Sequence, residues 1–104
     1  MRPLVHPPRE EITLSGVLFA LADPVRLEIF RRLAERGEVN CSGCSPLDLP
    51  KSTLSHQLRV MRDAGLVRSE KRGTEIVNTA RLSDLEARFP GLIASIARAA
   101  ESGK

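Results

Sequence analysis

The chain has 104 residues, and none of its apolar runs approaches the ~20 residues needed to span a bilayer, which argues against a membrane protein. Residues 1–11 are rich in proline and charge and lack the apolar core of a secretory signal peptide. We therefore expect a cytoplasmic protein whose two cysteines are thiols rather than a structural disulfide. The length suits one domain with one modest core.

The sequence signatures of enzymes are missing as well. There is no glycine-rich phosphate loop, no pair of catalytic carboxylates and no cofactor fingerprint. His56 stands on a stretch rich in serine and threonine, with no Ser-His-Asp arrangement nearby. We expect neither catalytic residues nor a cofactor.

Positive charge is concentrated in one part of the chain. The formal net charge is +3, but residues 51–72 alone carry +4, from six Lys/Arg against two acids, and the remaining residues sum to −1. Such a local excess is typical of a phosphate-binding surface. The alternative, a solvated helix face, would scatter the charge along the chain.

Residues 51–64 have the pattern of an amphipathic helix. Leu54, Leu58 and Met61 share one face, and Gly65 occupies the position of a helix C-cap. The opposite face carries hydroxyl, imidazole, amide and guanidinium groups, which reach base edges and phosphates in a major groove. This pattern predicts a recognition helix.

A short basic hairpin follows, with strands at about 66–70 and 75–79 around a turn at 71–74. A recognition helix followed by a basic hairpin predicts a winged helix-turn-helix that binds double-stranded operator DNA. The predicted DNA-binding residues are Lys51, Ser52, Thr53, Ser55, His56, Gln57, Arg59, Arg62, Arg68, Lys71 and Arg72.

Apolar periodicity and capping residues predict the other elements, and the fold class is mainly α with a small β-hairpin. Residues 1–9 hold three prolines and are predicted to form a flexible arm, and residues 10–100 form the single domain. Asp23 and Pro24 begin the second helix and Gly37 ends it. The other predicted helices are about 10–21, a short one at about 42–48, one starting at a capping box at 83–86, and a last one at about 90–100.

The first and last helices carry apolar stripes that the central unit, about residues 24–79, does not need for its own core. A two-fold homodimer would bury both stripes and would also read two DNA half-sites. The alternative is that both helices pack on their own subunit. The predicted interface residues are Leu14, Val17, Leu18, Leu21, Leu92, Ile93 and Ile96.

Three segments together resemble the ArsR-type winged-helix repressors of bacteria: Leu-Ala-Asp-Pro-Val-Arg-Leu at 21–27, Lys-Ser-Thr-Leu-Ser-His-Gln-Leu at 51–58 and Arg-Asp-Ala-Gly-Leu-Val at 62–67. The resemblance covers about residues 12–100. It implies a homodimer built from the first and last helices, which binds an operator and is released by a metal ion or a chemical signal. It also implies that the Lys71–Arg72 tip touches the DNA backbone and that the residues facing the groove are Ser52, Thr53, Ser55, His56 and Arg59.

The chain departs from the metal-sensing members of that family. Those members carry paired His, Asp or Glu ligands on the last helix or a cysteine pair on the third, whereas residues 87–104 here contain no His, Asp or Cys and only Glu101. A metal site on the last helix is therefore not predicted. The remaining candidate sensor pair is Cys41 and Cys44.

The Cys-x-x-Cys spacing of Cys41 and Cys44 can chelate a thiophilic metal or close a small disulfide. Tetrahedral zinc would need two further ligands, and neither His6 nor His56 offers a second pair. Three interpretations stay open: a redox or electrophile sensor, a metal sensor, and two thiols without a sensing role.

The competing function is a winged-helix protein-interaction module that does not read DNA. Its recognition helix would carry an acidic or apolar face, where this sequence has Ser52, His56 and Arg59.

Overall fold

Residues 4–37, 39–40 and 49–102 are described by a computed structural model. A 3-10 turn at Arg9–Glu11 precedes helix α1, Leu14–Leu21, and helix α2, Pro24–Arg36. Strand β1, Val39–Asn40, is followed by helix α3, Lys51–Asp63, and by strands β2, Val67–Arg72, and β3, Glu75–Ala80. Helices α4, Leu82–Arg88, and α5, Leu92–Ser102, come last. None of these helices is long and apolar enough to cross a membrane.

Side chains cap the first two helices, but α1 begins at Leu14 and not at about residue 10, so the predicted start of the first helix is wrong. The Thr13 hydroxyl accepts from the Gly16 N–H at 3.1 Å at the start of α1. The Asp23 carboxylate accepts from the N–H groups of Val25 and Arg26 at 2.8 and 3.1 Å, and proline occupies the first turn of α2. The cap predicted from Asp23 and Pro24 is confirmed, as is the end of α2 at Gly37.

One apolar core joins α1, α2, α3, α4 and the base of the hairpin. The buried faces of α2 and α3 meet in it, so the outer face of α3 is turned away from the protein. The buried apolar residues are Ile12, Val17, Ala20, Leu21, Ile29, Phe30, Leu33, Leu54, Leu58, Met61, Leu66, Val67 and Leu85.

The hairpin is longer than the sequence predicted and belongs to a three-stranded antiparallel sheet in the order β1-β3-β2. Arg72 pairs with Glu75, so the turn is formed by residues 73–74 alone. The prediction that Lys71 and Arg72 lie in the turn is therefore wrong, since both extend the ladder of β2. Residue 73 is a glycine with φ 62°, which a two-residue hairpin turn requires.

The capping box predicted at residues 83–86 is wrong. Helix α4 begins at Leu82, its N-cap is Arg81, and no side-chain hydrogen bond caps it. The Leu85 N–H donates to the Arg81 carbonyl at 3.0 Å, so the N-cap lies two residues before Ser83. The last helix likewise starts at Leu92 rather than at residue 90.

The N-terminal arm was predicted to be flexible, and its described part, residues 4–9, is instead fastened to the domain. His6 accepts a hydrogen bond from the wing, and the Pro7 carbonyl accepts one from Arg81. Arg9 pairs with Asp84 at 2.8 Å. These contacts join the arm to parts of the chain more than sixty residues away.

The apolar stripe of α1 is divided between two surroundings. Val17 and Leu21 are buried in the core of their own subunit, so their assignment to a dimer interface is wrong. Leu14 and Leu18 are both 46% exposed. Phe19, which is not among the predicted interface residues, is 70% exposed.

The stripe of α5 packs on its own subunit. Leu92, Ile93 and Ile96 are partly buried against the core. The alternative of packing within the subunit thus holds for most of the predicted stripe residues. The short helix predicted at 42–48, and Cys41 and Cys44, lie outside the described residues.

Gly65, between α3 and β2, is the position where the core tolerates no side chain. Its φ is 88°, and an added Cβ would lie 2.5 Å from Cγ1 of Ile12. Gly65→Ala should lower the free energy of unfolding by about 2–4 kcal/mol, because left-handed strain adds to overpacking of the core. Urea unfolding measures this loss.

Gly73→Ala is the matched control for that substitution. Its φ is also positive, at 62°, but an added Cβ would meet no heavy atom within 4 Å. We expect a loss of about 1–2 kcal/mol from the backbone alone. Equal losses in the two variants would contradict the close approach of Ile12 to the backbone at Gly65.

Candidate nucleic-acid interface

The two faces of α3 differ sharply in burial. Leu54, Leu58 and Met61 are buried, as their spacing predicted. The outer face is polar and exposed. Its exposed residues are Lys51, Ser52, Thr53, Ser55, His56 and Arg59. The structure therefore brings six of the predicted DNA-binding residues together on one accessible surface. We call this surface the reading face.

The start of α3 favours an anion. Its N-cap is Pro50, which makes no side-chain hydrogen bond, and its first turn contains no acidic residue. The N–H groups of a first helical turn and the positive end of the helix dipole together attract phosphate. Lys51 adds a cation at the same end of the reading face.

Gln57 does not belong to the reading face. It is half-buried, and its Oε1 accepts from an Nη of Arg26 on α2 at 3.0 Å. The Nε of Arg26 donates to the Ala20 carbonyl at 2.7 Å, and its guanidinium lies 5.7 Å from the centroid of the Phe19 ring. Gln57 thus joins α3 to the junction of α1 and α2, and its contact with DNA stays a prediction.

Arg62 is also turned toward the protein. It is half-buried, and an Nη donates to the Ser69 hydroxyl at 3.1 Å. That hydroxyl donates in turn to Oδ1 of Asn78 at 2.7 Å, and both Ser69 and Asn78 are buried. Arg62 thus links the last turn of α3 to the hairpin, which is called the wing, and its contact with DNA stays a prediction.

Arg68, Lys71 and Arg72, the predicted basic residues of the wing, are exposed on β2. Arg72 pairs with Glu70 on the same strand, with an N–O distance of 3.1 Å. The wing is therefore less positive than its count of cations suggests. Contact of its tip with DNA stays a prediction.

Arg26 and His6 make contacts around the candidate site that local sequence patterns do not predict. Arg26 belongs to the Asp-Pro-Val-Arg segment at the start of α2, but its hydrogen-bond partner Gln57 lies 31 positions away in the sequence. His6 was read as part of a loose arm, and its partner is 63 positions away. Ser69 did have a signal in the sequence. It follows the apolar Val67 by two residues and so shares the inner face of β2, where a buried polar residue needs hydrogen-bond partners.

No group of three or more His, Cys, Asp or Glu that could hold a metal ion occurs among residues 4–37, 39–40 and 49–102. Cys41 and Cys44 fall outside these ranges, so their sensing role stays a prediction.

Comparison with known proteins agrees with this geometry. Residues 21–70 match a helix-turn-helix domain family. The chain is 41% identical over 61 residues to an uncharacterized HTH-type transcriptional regulator of Methanocaldococcus jannaschii, covering 58% of this chain and 68% of the relative. It is 35% identical over 79 residues to the HTH-type transcriptional repressor SmtB of Mycobacterium tuberculosis, covering 75% of this chain but only 57% of that repressor.

A solved structure of an ArsR-like transcriptional regulator from Rhodococcus sp. RHA1 has a similar fold. The TM-score is 0.62 at 28% identity, over 86% of this chain and 87% of that one. These relatives are regulators rather than enzymes, in agreement with the prediction for this chain.

The inward role of Arg62 can be separated from the outward role of Arg59 by stability. Arg62→Ala should lower the free energy of unfolding by about 1–2 kcal/mol, because it removes a donor from the buried Ser69–Asn78 pair. Arg59→Ala, on the exposed side of the same helix, should cost under about 0.5 kcal/mol. Chemical denaturation measures both, and a neutral Arg62→Ala would place Arg62 on the reading face after all.

Proposed function

This chain belongs to the ArsR-type family of helix-turn-helix transcriptional regulators, and on that premise we propose that it is a repressor that binds operator DNA as a homodimer in the cytoplasm. The observation that carries the proposal is the reading face: six exposed polar and cationic residues on α3, opposite an apolar face held in the core. A protein-interaction module, the competing function, would carry an acidic or apolar face on α3 instead.

The proposed mode of binding inserts α3 into the major groove. A major groove about 12 Å wide admits one helix, and side chains such as Ser52, His56 and Arg59 would meet base edges. Lys51 and the first-turn N–H groups of α3 would meet phosphate. The wing would follow the adjacent backbone through Arg68 and Lys71.

Base reading and phosphate contact can be told apart by two substitutions. Arg59→Ala should weaken binding to the preferred duplex by about 1–3 kcal/mol and relax specificity at one position, if the guanidinium reads a base. Lys71→Ala should weaken all sequences alike and lower the salt slope by about one. Mobility-shift titrations at several salt concentrations measure both effects.

The reading surface would be misplaced if both variants bound like the wild type. Glu101→Ala is the control, since this exposed residue near the end of α5 lies outside the reading face and the wing. It should leave both affinity and salt slope unchanged.

A second copy of this chain is the proposed cover for the exposed part of α1. Leu14, Leu18 and Phe19 expose large apolar side chains there, with partly buried Ile93 and Ile96 on α5 as further candidates. A dimer would place two reading faces about one helical turn of DNA apart, as two half-sites require. Leu92 would contribute through its exposed fraction.

Leu18→Glu should convert a dimer into a monomer at micromolar concentration, because the carboxylate would be buried without a partner. Val5→Glu is the control, since Val5 is 74% exposed on the arm and outside the proposed interface. Sedimentation velocity or light scattering gives the mass. A wild-type monomer at these concentrations would remove the model with two half-sites.

The signal that releases the repressor is proposed from spacing alone. Cys41 and Cys44 precede α3, so a disulfide or a bound soft metal between them would strain the segment that leads into the recognition helix. Of the two, we propose oxidation, in which a peroxide takes two electrons from the two thiols and leaves a disulfide and water, because no second pair of zinc ligands accompanies these cysteines in the sequence.

A further inference from the structure

The described part of the N-terminal arm, residues 4–9, lies against the outer strand of the wing and the start of α4. Strand β2 is an edge strand in the order β1-β3-β2. The backbone N–H of Ser69 on that strand donates to Nε2 of His6 at 2.9 Å. A buried edge N–H needs an acceptor, and the imidazole supplies one where no further strand is present among the described residues.

We propose that His6 is a positioning residue for the DNA-reading surface: its neutral imidazole latches the N-terminal arm to the wing and, through Ser69, holds the wing against the end of the recognition helix. The inference rests on the proposed function for its effect on DNA binding. The latch itself is a property of the protein without DNA.

Ser69 connects the arm to α3. Its N–H is bound to His6, its hydroxyl donates to Oδ1 of Asn78 at 2.7 Å, and the same hydroxyl accepts from Arg62 at 3.1 Å. The arm, both strands of the wing and the last turn of α3 therefore meet at one buried residue, the arm through its backbone N–H and the others through its hydroxyl. Loss of the His6 acceptor would leave the Ser69 N–H without its partner and loosen this junction.

A second anchor keeps His6 in reach of Ser69. An Nη of Arg81 donates to the Pro7 carbonyl at 2.7 Å, and the Nε of Arg81 donates to Asp84 at 2.9 Å. Asp84 also pairs with Arg9 at 2.8 Å, and the hydrogen bond from Arg9 is the largest cause that lowers the pKa of Asp84. The arm is thus bound on the far side of His6 by contacts that do not involve the imidazole.

The latch requires a particular protonation state. Nε2 accepts a hydrogen bond only when the imidazole is neutral with its proton on Nδ1. Burial lowers the pKa of His6 below its ordinary value, and the charges of Arg68 on β2, Arg62 on α3 and Arg81 before α4 lower it further. Glu70 on β2 opposes them, but it is paired with Arg72.

The direction of the pH effect follows from this lowered pKa. The free protein prefers neutral His6, so the latch is fully formed above the unfolded pKa of about 6.5 and is lost as the pH falls through the lower folded pKa. A protonated imidazole would present an N–H to the Ser69 N–H and would add a fourth cation beside Arg62, Arg68 and Arg81. The arm would then leave the wing.

The latch is tested first without DNA, by following the Ser69 amide in nitrogen-15-labelled protein across the pH range. In the wild type its chemical shift should titrate with one midpoint below about 6.5. In His6→Gln, where the amide oxygen replaces Nε2 as acceptor, the amide should stay protected without titrating. In His6→Ala it should exchange with solvent at least about tenfold faster at neutral pH.

The positioning role is tested with a duplex selected by the wild-type protein from a random library. His6→Ala should bind about two- to tenfold more weakly than the wild type at neutral pH. His6→Gln should match the wild type at neutral pH and keep its affinity as the pH is lowered, whereas the wild type should approach His6→Ala as the pH falls through the lowered pKa of His6. All of these proteins retain His56, so the comparison isolates the effect of residue 6.

Val5→Ala is the control, because it shortens an exposed side chain next to His6 without touching the latch. Parallel pH profiles for the wild type, His6→Gln and His6→Ala would overturn the positioning role, and an equally protected Ser69 amide in His6→Ala would overturn the latch. If the wild type selects no duplex, the proposed function fails, while the amide titration still decides whether the latch exists.

Discussion

Burial of the apolar face of α3 determines where this helix lies and which of its side chains reach solvent. Leu54, Leu58 and Met61 fix both the position and the rotation of the helix, and each fully buried side chain of this kind contributes about 1.5–3 kcal/mol. A helix held by one face can present only the opposite one. The polar links at its sides, from Gln57 to α2 and from Arg62 to the wing, then determine how neighbouring elements meet it. Apolar burial sets the reading face, and hydrogen bonds align what stands beside it.

Local sequence signals predicted those elements that are stabilised by interactions between residues close together in the sequence. The caps at Asp23 and Gly37 depend on neighbouring residues, and the α3 face depends on helical period, so both could be read from the chain. Residues at the sides of α3 could not, because Gln57 and Arg62 are half-buried by partners that folding brings to them. The capping box failed for the same reason: Arg81, buried and bonded to the arm, opens α4 earlier than Ser83 would.

The two apolar stripes show how far periodicity carries an interface prediction. On α1 it placed apolar residues correctly, yet the helix uses two faces: Val17 and Leu21 enter the core, while Leu14, Leu18 and the overlooked Phe19 stay exposed. Helical spacing alone cannot say which of two adjacent faces a neighbouring helix will cover. That depends on the packing of α2 and α3 against α1, which only the assembled fold reveals.

The same distinction applies to charge. The net +4 of residues 51–72 suggested that each cation there serves DNA, but Arg62 is committed to Ser69 and Arg72 pairs with Glu70. A cation bound inside the protein holds the reading face in place, and only a cation that meets phosphate releases counterions. The salt slope of binding therefore depends on fewer residues than the affinity does, because the affinity also depends on residues that only hold the reading face in place. Removal of a positioning residue such as Arg62 would weaken binding without lowering the salt slope by a full charge. The steepness of that slope would instead depend on the cations proposed to meet phosphate, which are Lys51, Arg68 and Lys71.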